Sequence, residues 1–339
     1  MKKNSFIILS LLMVLILALT GCAEKAPAPG DESTRQTVTE ASSAITSSGT
    51  QTEAVSLPTQ DREGNPIKVP SGITKIISLA PATAQVIDTL GLKDKIIAVD
   101  TQTPLYAAGL DTLPQFDMMA PDCEAMLALK PDIVFVSGMS MVEAKDPFKP
   151  LRDMGVCVAV IPSSDSIDGV KKDIQFIADC LGESEQGNAI TEAMQKDIDE
   201  IAKIGAAIGD KKTVMFEISA LPDIYSFGNG VFLNEMLDII GAKNVFADQK
   251  SWIAVTEESA VSANPDVILT NVNYIEDPVN EILSRKGWQN VTAVKNKAVY
   301  YIDNAASSLP NQHIVDALKQ MAKAVYPEEY ASVADPFAK

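Results

Sequence analysis

The chain is poor in the residues that zinc centres and nucleic-acid surfaces require. Its 339 residues include a single histidine, His313, and four arginines. One imidazole cannot supply the two or three histidines of the usual catalytic zinc centres. The 28 lysines and arginines stand against 45 acidic residues, so the formal net charge is −17 and the chain has little basic surface for binding phosphates. We therefore expect no nucleic-acid partner and no metal held directly by the protein.

Cysteine pairs and catalytic motifs are also missing from the sequence. The four cysteines form no Cys-x-x-Cys pair, which argues against a zinc knuckle or a disulfide framework. Cys123, Cys157 and Cys180 lie within apolar helix or strand patterns, which predicts buried, reduced thiols. The nucleophile-elbow, Walker, dinucleotide-binding and zincin motifs do not occur. We expect neither an enzyme nor a resident cofactor, and an extracellular α/β hydrolase is the alternative from another class.

The first 21 residues have the pattern of a bacterial signal peptide. Lys2 and Lys3 precede an apolar run over residues 6–19, which at about 14 residues is too short to span a bilayer as a helix. The run ends in Leu-Thr-Gly-Cys at Cys22, which resembles a lipobox. We predict cleavage before Cys22, whose acylation would anchor the protein outside the cytoplasm on the cell membrane. The alternative is a Sec signal cut at small residues, with Cys22 incidental.

The composition changes twice after the signal peptide. Residues 22–60 are rich in Ala, Pro, Ser, Thr, Gly and Glu, which predicts a flexible tether because such a segment buries little apolar surface. The rest of the chain is long enough for two lobes at roughly 100–200 residues per domain. We assign residues 61–184 to an N-terminal lobe that opens with a hairpin at 61–70. Residues 185–210 form a linking helix, and residues 211–339 form a C-terminal lobe.

Strand and helix patterns alternate through both lobes. Short apolar runs that alternate with amphipathic stretches predict an α/β fold with parallel sheets covered by helices on both faces. From residue 166 to 208 the spacing is helical throughout, and Gly182 predicts the end of a first helix before a second, long one over 185–208. The predicted strands are 75–79, 96–99, 133–137, 156–161, 213–218, 267–270 and 298–302, and further helices are 83–90, 123–129, 232–240 and 313–325.

An internal repeat supports two similar lobes. The stretch from Glu124 to Pro131-Asp132 matches the one from Glu258 to Pro265-Asp266, with glutamate seven residues before proline in both. A capping residue two positions before each glutamate, Asp122 or Thr256, places both glutamates in the first turn of equivalent helices. Two such lobes joined by a rigid helix predict a ligand cleft where the carboxyl ends of the strands face each other.

Several short motifs occur in a fixed order along the chain: the lipobox, the hairpin before Ile-Ile-Ser-Leu-Ala-Pro at 76–81, Leu-Lys-Pro-Asp-Ile-Val at 129–134, Phe-Gly-x-Gly at 227–230 leading to Ile-Gly-Ala at 240–242, and Trp252-x3-Thr256-x-Glu258. Their order resembles the class III substrate-binding proteins of ABC importers, which capture ferric siderophores, haem and cobalamin. The resemblance implies a monomer that delivers its ligand to an ABC permease dimer with its ATPase, docking through Glu124 and Glu258. Both glutamates could instead serve only the helix dipole. A signalling receptor without a permease is a further alternative.

Aromatic and methionine residues after the strands are the candidate ligand contacts. They favour a large, partly apolar ligand, and the scarcity of arginine disfavours a highly charged catecholate complex. We rank a ferric siderophore first, haem second and cobalamin third. Haem-binding relatives have an axial methionine at the position that matches Met119. The position that matches their axial histidine is Asn273, so haem would lack this ligand unless Tyr274 or His313 supplied it. The candidates are Tyr106, Met119, Met139, Tyr225, Trp252, Asn273, Tyr274 and His313.

Overall fold

The computed structural model describes residues 57–141 and 146–338. The predicted signal peptide, Cys22 and nearly all of the predicted tether therefore lie outside the described residues. Within the described ranges, no helix combines the length and the hydropathy needed to cross a bilayer.

The N-terminal lobe is built on a parallel sheet of five strands. Their order is β3-β2-β1-β4-β5, and every neighbouring pair is parallel. The central strands are apolar and fully buried, because helices cover both faces of the sheet. The strands are β1 (Ile76–Leu79), β2 (Ile96–Asp100), β3 (Gln115–Phe116), β4 (Ile133–Ser137) and β5 (Cys157–Ile161), and the helices are α1 (Pro81–Thr89), α2 (Cys123–Ala128), α3 (Lys149–Asp153) and α4 (Ile167–Leu181).

A long helix follows α4 and connects the two lobes. Gly182 ends α4 in the left-handed region at φ +79°, as the sequence predicts. The next helix, α5 (Ser184–Gly205), has 22 residues and spans about 33 Å at 1.5 Å per residue. It ends slightly earlier than predicted. At Gly205 the helix packs so closely on the other lobe that a Cβ atom would collide with the carbonyl oxygen of Ile239.

The C-terminal lobe has a four-stranded parallel sheet and a separate antiparallel ribbon. The order of the sheet is β11-β10-β6-β8, and the ribbon consists of β7 and β9. The strands are β6 (Thr213–Glu217), β7 (Ile224–Phe227), β8 (Lys243–Asn244), β9 (Trp252–Val255), β10 (Val267–Thr270) and β11 (Val299–Tyr301). The helices are α6 (Phe232–Ile239), α7 (Glu257–Ala263), α8 (Pro278–Ser284), α9 (Thr292–Lys295), α10 (Asn304–Ser308) and α11 (Ile314–Val325).

The predicted α/β class with two lobes is confirmed, and all seven predicted strands are present in the two parallel sheets. Four strands were missed. Two of them, β3 and β8, have only two residues each, and β7 and β9 form the half-exposed ribbon. The predicted hairpin at 61–70 is longer than the observed structure. Gln60 and Pro66 form a single antiparallel bridge around a tight turn.

The repeated segments adopt the same local structure in both lobes. The Asp122 side chain accepts a hydrogen bond from the backbone N of Ala125 at the start of α2. The Thr256 hydroxyl accepts one from Ser259 N at the start of α7. Each cap satisfies a backbone N–H that the first helical turn leaves without a partner. The predicted equivalence of these helices is therefore visible in the structure.

Candidate functional site

A cavity of about 320 Å³ lies between the two lobes. Its walls come from the carboxyl ends of β1, β4 and β5, from α1 and α4, and from three segments of the C-terminal lobe. This is where ligands bind in open α/β sheets. The N-terminal lobe contributes residues 80–83, 161–165, Val86, Met118, Ser137, Met139, Asp173, Ile174 and Ile177, and the C-terminal lobe contributes Val231, Phe232, Trp252 and residues 308–310.

The cavity walls are mostly apolar and carry two large side chains with free surface. Met139 is 60% exposed and Trp252 is 48% exposed although both line the cavity. The Trp252 ring packs edge-to-face on Phe227, with ring centres 6.0 Å apart. This contact holds the indole in place at the mouth of the cavity, where its face is available to an apolar or aromatic group.

Two carboxylates line the cavity, in different environments. Asp173 on α4 is buried, forms an ion pair with Arg62 (Nε–Oδ1 2.6 Å) and accepts a hydrogen bond from Ser164. Burial raises the pKa of the Asp173 carboxyl, while the hydrogen bonds from Ser164 and Arg62 oppose that rise. Asp165 is exposed. No lysine, arginine or histidine is found among the described residues of the lining.

Two of the predicted contacts, Met139 and Trp252, line the cavity, and the other six lie outside its lining. Met119 and Asn273 are exposed on loops. The Tyr106 hydroxyl lies 3.5 Å from Asn304 Oδ1 in the opposite lobe. His313 occupies the N-cap position of α11, with Nδ1 3.1 Å from Asp316 Oδ2.

Tyr225 belongs to the same ribbon as Trp252, and Tyr274 is hydrogen-bonded to the segment before that ribbon. In the ribbon, Tyr225 pairs with Ala254 and Phe227 pairs with Trp252, so Tyr225 and Trp252 share a face. The Tyr274 hydroxyl accepts a hydrogen bond from Ala220 N at 2.9 Å, close to Ser219, whose carbonyl accepts from Tyr225 N. Tyr225 is 43% exposed and Tyr274 is 65% exposed, and neither ring lines the cavity.

Sequence reasoning missed Asp165, Asp173 and the serines beside them. One signal was present, because Asp173 is a charged residue on the apolar face of α4, between Val170 and Ile174. A carboxylate on such a face needs a partner. Arg62 could not be identified as that partner, since the two residues are 111 positions apart.

The remaining arginines of the lobes stabilise the fold. Arg285 is buried and donates two hydrogen bonds of 2.6 and 2.8 Å to Glu217. Its guanidinium group also donates to the Glu281 carboxylate. Arg152 binds Asp146 and the carbonyl of Val158. The described lining of the cavity contains no arginine. Within residues 57–141 and 146–338, no three His, Cys, Asp or Glu side chains form a possible metal site.

The geometry of two parallel-sheet lobes, a connecting helix and a cavity between them matches a known family. A family profile described as "Periplasmic binding protein" matches residues 76–306. The chain belongs to the periplasmic binding protein family. The resemblance predicted from the sequence is thereby confirmed.

Similar proteins in this family have different described ligands. An uncharacterized ABC transporter substrate-binding lipoprotein of Bacillus subtilis, YvrC, is 29% identical over 332 residues, 97% of this chain and 99% of YvrC. A possible iron-binding protein of Staphylococcus epidermidis has a similar structure (TM-score 0.65, 29% identity, 75% of this chain and 99% of that one). The molybdate-binding protein MolA of Haemophilus influenzae, whose structure was solved with molybdate, has a TM-score of 0.70 at 24% identity. The match covers 82% of this chain and 93% of MolA. Membership therefore does not fix the ligand.

In this periplasmic binding protein, Glu124 and Glu258 lie in the first turns of α2 and α7 and are exposed. Glu257, next to Glu258, has a different role, because its carboxylate accepts a hydrogen bond from Trp288 Nε1 at 3.2 Å. The first turn of α2 thus presents Glu124, and the first turn of α7 presents Glu258 beside Glu257. The three cysteines of the lobes are buried and free, as predicted.

Proposed function

We propose that the protein is the substrate-binding component of an ABC importer and that it captures an uncharged or cationic ferric chelate of the hydroxamate type. The observation that carries this proposal is the largely apolar cavity between the lobes, with Trp252 and Met139 at its surface and no basic side chain among its described residues. A hydroxamate chelate of ferric iron has a neutral core with an apolar outer surface, which suits these walls.

The charge of the lining disfavours the other ligand classes. Molybdate and ferric catecholates are anions, so their binding sites need cationic side chains or several hydrogen-bond donors. The lining of this cavity instead contains two carboxylates, Asp165 and Asp173. Haem carries two propionates and needs an axial ligand. Methionines are present in the lining, but histidine, tyrosine and cysteine are absent from its described part.

Cobalamin is the second candidate, because Trp252 and Tyr225 share one face of the ribbon and are both partly exposed. A flat macrocycle larger than the cavity could extend from Trp252 over this face. The cavity itself is at the small end of the range of ligand sites, about 300–1,000 Å³. A hydroxamate chelate is smaller than cobalamin and would therefore leave less of its surface outside the cavity.

The remaining parts of the proposal concern anchoring and delivery. Cys22 would carry the lipid anchor on the outer side of the cell membrane, in line with the lipoprotein name of the Bacillus relative. Glu124 and Glu258 would contact the permease dimer, since one exposed carboxylate on each pseudo-equivalent helix fits a two-fold partner. The ligand would be bound, carried and released without chemical change.

The test is a titration of the purified protein with ferrioxamine B, ferric enterobactin, haem, cyanocobalamin and molybdate. We expect ferrioxamine B to bind and to quench the fluorescence of Trp252. Trp288 is buried away from the cavity and serves as the internal reference, so a Trp252→Phe variant should lose the signal while calorimetry still detects binding. Binding of haem, cyanocobalamin or molybdate in place of the hydroxamate would contradict the ligand class.

A further inference from the structure

The segment 59–67, here called the N-terminal clip, is a compact turn built around one carboxylate. Ile67 N donates to the carbonyl of Thr59 at 3.0 Å, which closes the turn. Inside it, Asp61 Oδ1 accepts hydrogen bonds from Glu63 N at 3.0 Å and from Asn65 N at 2.9 Å. The clip lies before the residues matched by the family profile, which begins at residue 76.

The clip is fastened to the edge of β5. Asp61 Oδ2 accepts a hydrogen bond from Val160 N at 3.1 Å, and Arg62 N donates to the carbonyl of Val160 at 3.3 Å. Val160 is followed directly by residues 161–165, which line the cavity. The clip is thus held beside the ligand site through the backbone N–H and the carbonyl of Val160.

From this position the clip places a guanidinium group against a residue of the cavity wall. Arg62 Nε lies 2.6 Å from Asp173 Oδ1, and Ser164 donates to the other carboxylate oxygen. Both Ser164 and Asp173 line the cavity. Since the Asp173 side chain is only 4% exposed, its charge would be uncompensated without Arg62.

We propose that the Arg62–Asp173 pair sets the charge that the cavity wall presents and thereby determines which ligand charge the site accepts. This inference rests on the proposed function and adds to it. With the pair intact, the two charges cancel and Asp165 is the uncompensated charge of the described lining, which favours a cationic chelate. Arg62 is a specificity residue that acts through Asp173, outside the part of the chain that the family profile covers.

The experiment compares two chelates that differ by one positive charge. Ferrioxamine B carries an ammonium group, and its N-acetyl derivative is neutral but otherwise has the same chelate. We expect Asp173→Asn to lower the ratio of affinities, cationic over neutral, by about three- to ten-fold, because it leaves the Arg62 charge uncompensated near the ligand. The carboxamide introduced by this substitution can still bond Ser164 and Arg62, so the fold should persist, and thermal unfolding checks this.

The double variant Arg62→Met with Asp173→Asn removes both charges and should restore the wild-type ratio to within about two-fold, since the summed charge at positions 62 and 173 is again zero. The control is Asp153→Asn on α3, which removes the same charge from an exposed pair with Lys149 and should leave the ratio unchanged. A purely structural role would weaken both chelates equally, and that result would overturn the inference while the proposed function stands. Failure of both chelates to bind the wild-type protein would overturn the proposed function and the inference with it.

Discussion

Asp132 and Asp266 perform the same structural task in opposite lobes. Oδ2 of Asp132 accepts a hydrogen bond from Thr74 N at 2.8 Å, and Oδ2 of Asp266 accepts one from Thr213 N at 2.8 Å. Each carboxylate therefore fixes the start of the first central strand of its own sheet, β1 or β6. This is the structural basis of the Pro-Asp repeat in the sequence.

We expect Asp132→Asn to destabilise the protein by about 1 kcal/mol at neutral pH, because hydrogen bonds to a charged acceptor are the stronger ones. The backbone hydrogen bond from Thr74 is the main reason that the pKa of Asp132 is lowered. A carboxyl with a lowered pKa contributes stability above its unfolded pKa, and this contribution is lost as the pH falls through the folded pKa, from about pH 4 downward. Urea unfolding at pH 7 and pH 3 measures it.

The wild-type protein and the variant should therefore differ less at pH 3 than at pH 7. The control is Asp153→Asn, whose partner Lys149 is exposed, and this change should cost at most about 1 kcal/mol. An equal difference between wild type and Asp132→Asn at both pH values would show that the carboxylate charge is not what holds β1.

The second prediction concerns Gln85 on α1. The Gln85 amide donates to the carbonyl of Tyr106 at 2.8 Å and accepts from the Asn311 side chain at 2.5 Å, which joins α1 to the C-terminal lobe. Asn311 is fully buried. Gln85→Ala should therefore lower the free energy of unfolding by about 1–3 kcal/mol, the cost of a buried polar group without its partner.

Chemical denaturation followed by circular dichroism measures this cost. Gln115→Ala is the matched control, because the Gln115 side chain donates to the carbonyl of Asp111 at the exposed surface, and it should stay within about 0.5 kcal/mol of wild type. Equal stability of the two variants would mean that the Gln85–Asn311 contact contributes nothing to joining the lobes.

The central strands could be predicted because a strand that is buried on both faces consists of consecutive apolar residues. Strands β4 and β10 were predicted with the observed bounds for this reason. The ribbon of β7 and β9 could not be recognised, since its residues are partly exposed and each strand depends on a partner more than twenty residues away.

The site was harder to predict than the fold, because polar ends of side chains find partners that the sequence does not reveal. Tyr274 and His313 were chosen for their chemistry, yet Tyr274 bonds the backbone of Ala220 and His313 bonds Asp316. Trp252 and Met139 were chosen for their apolar surface, which needs no specific partner, and both line the cavity.

The third prediction is that Trp252→Ala weakens ferrioxamine B binding by about ten-fold, which corresponds to roughly 1.4 kcal/mol. Trp252 lines the cavity and is held by its edge-to-face contact with Phe227, so it offers a rigid apolar surface. Isothermal titration calorimetry measures the change. Tyr300→Ala removes an exposed ring outside the cavity lining and should leave the affinity unchanged. If both variants bind like wild type, Trp252 does not contact the ligand.

The last prediction concerns delivery and separates it from capture. Glu124→Ala combined with Glu258→Ala should abolish uptake of the chelate by cells, while the purified variant keeps its ligand affinity, because both exposed carboxylates lie outside the cavity lining. Glu257→Ala is the matched control on the same turn of α7. Its carboxylate is occupied by the Trp288 indole, so this change should cost stability and leave uptake per folded molecule intact. Uptake by the double variant at the wild-type rate would exclude the docking role, whereas loss of uptake with Glu257→Ala at normal protein levels would assign docking to the whole acidic turn rather than to Glu258.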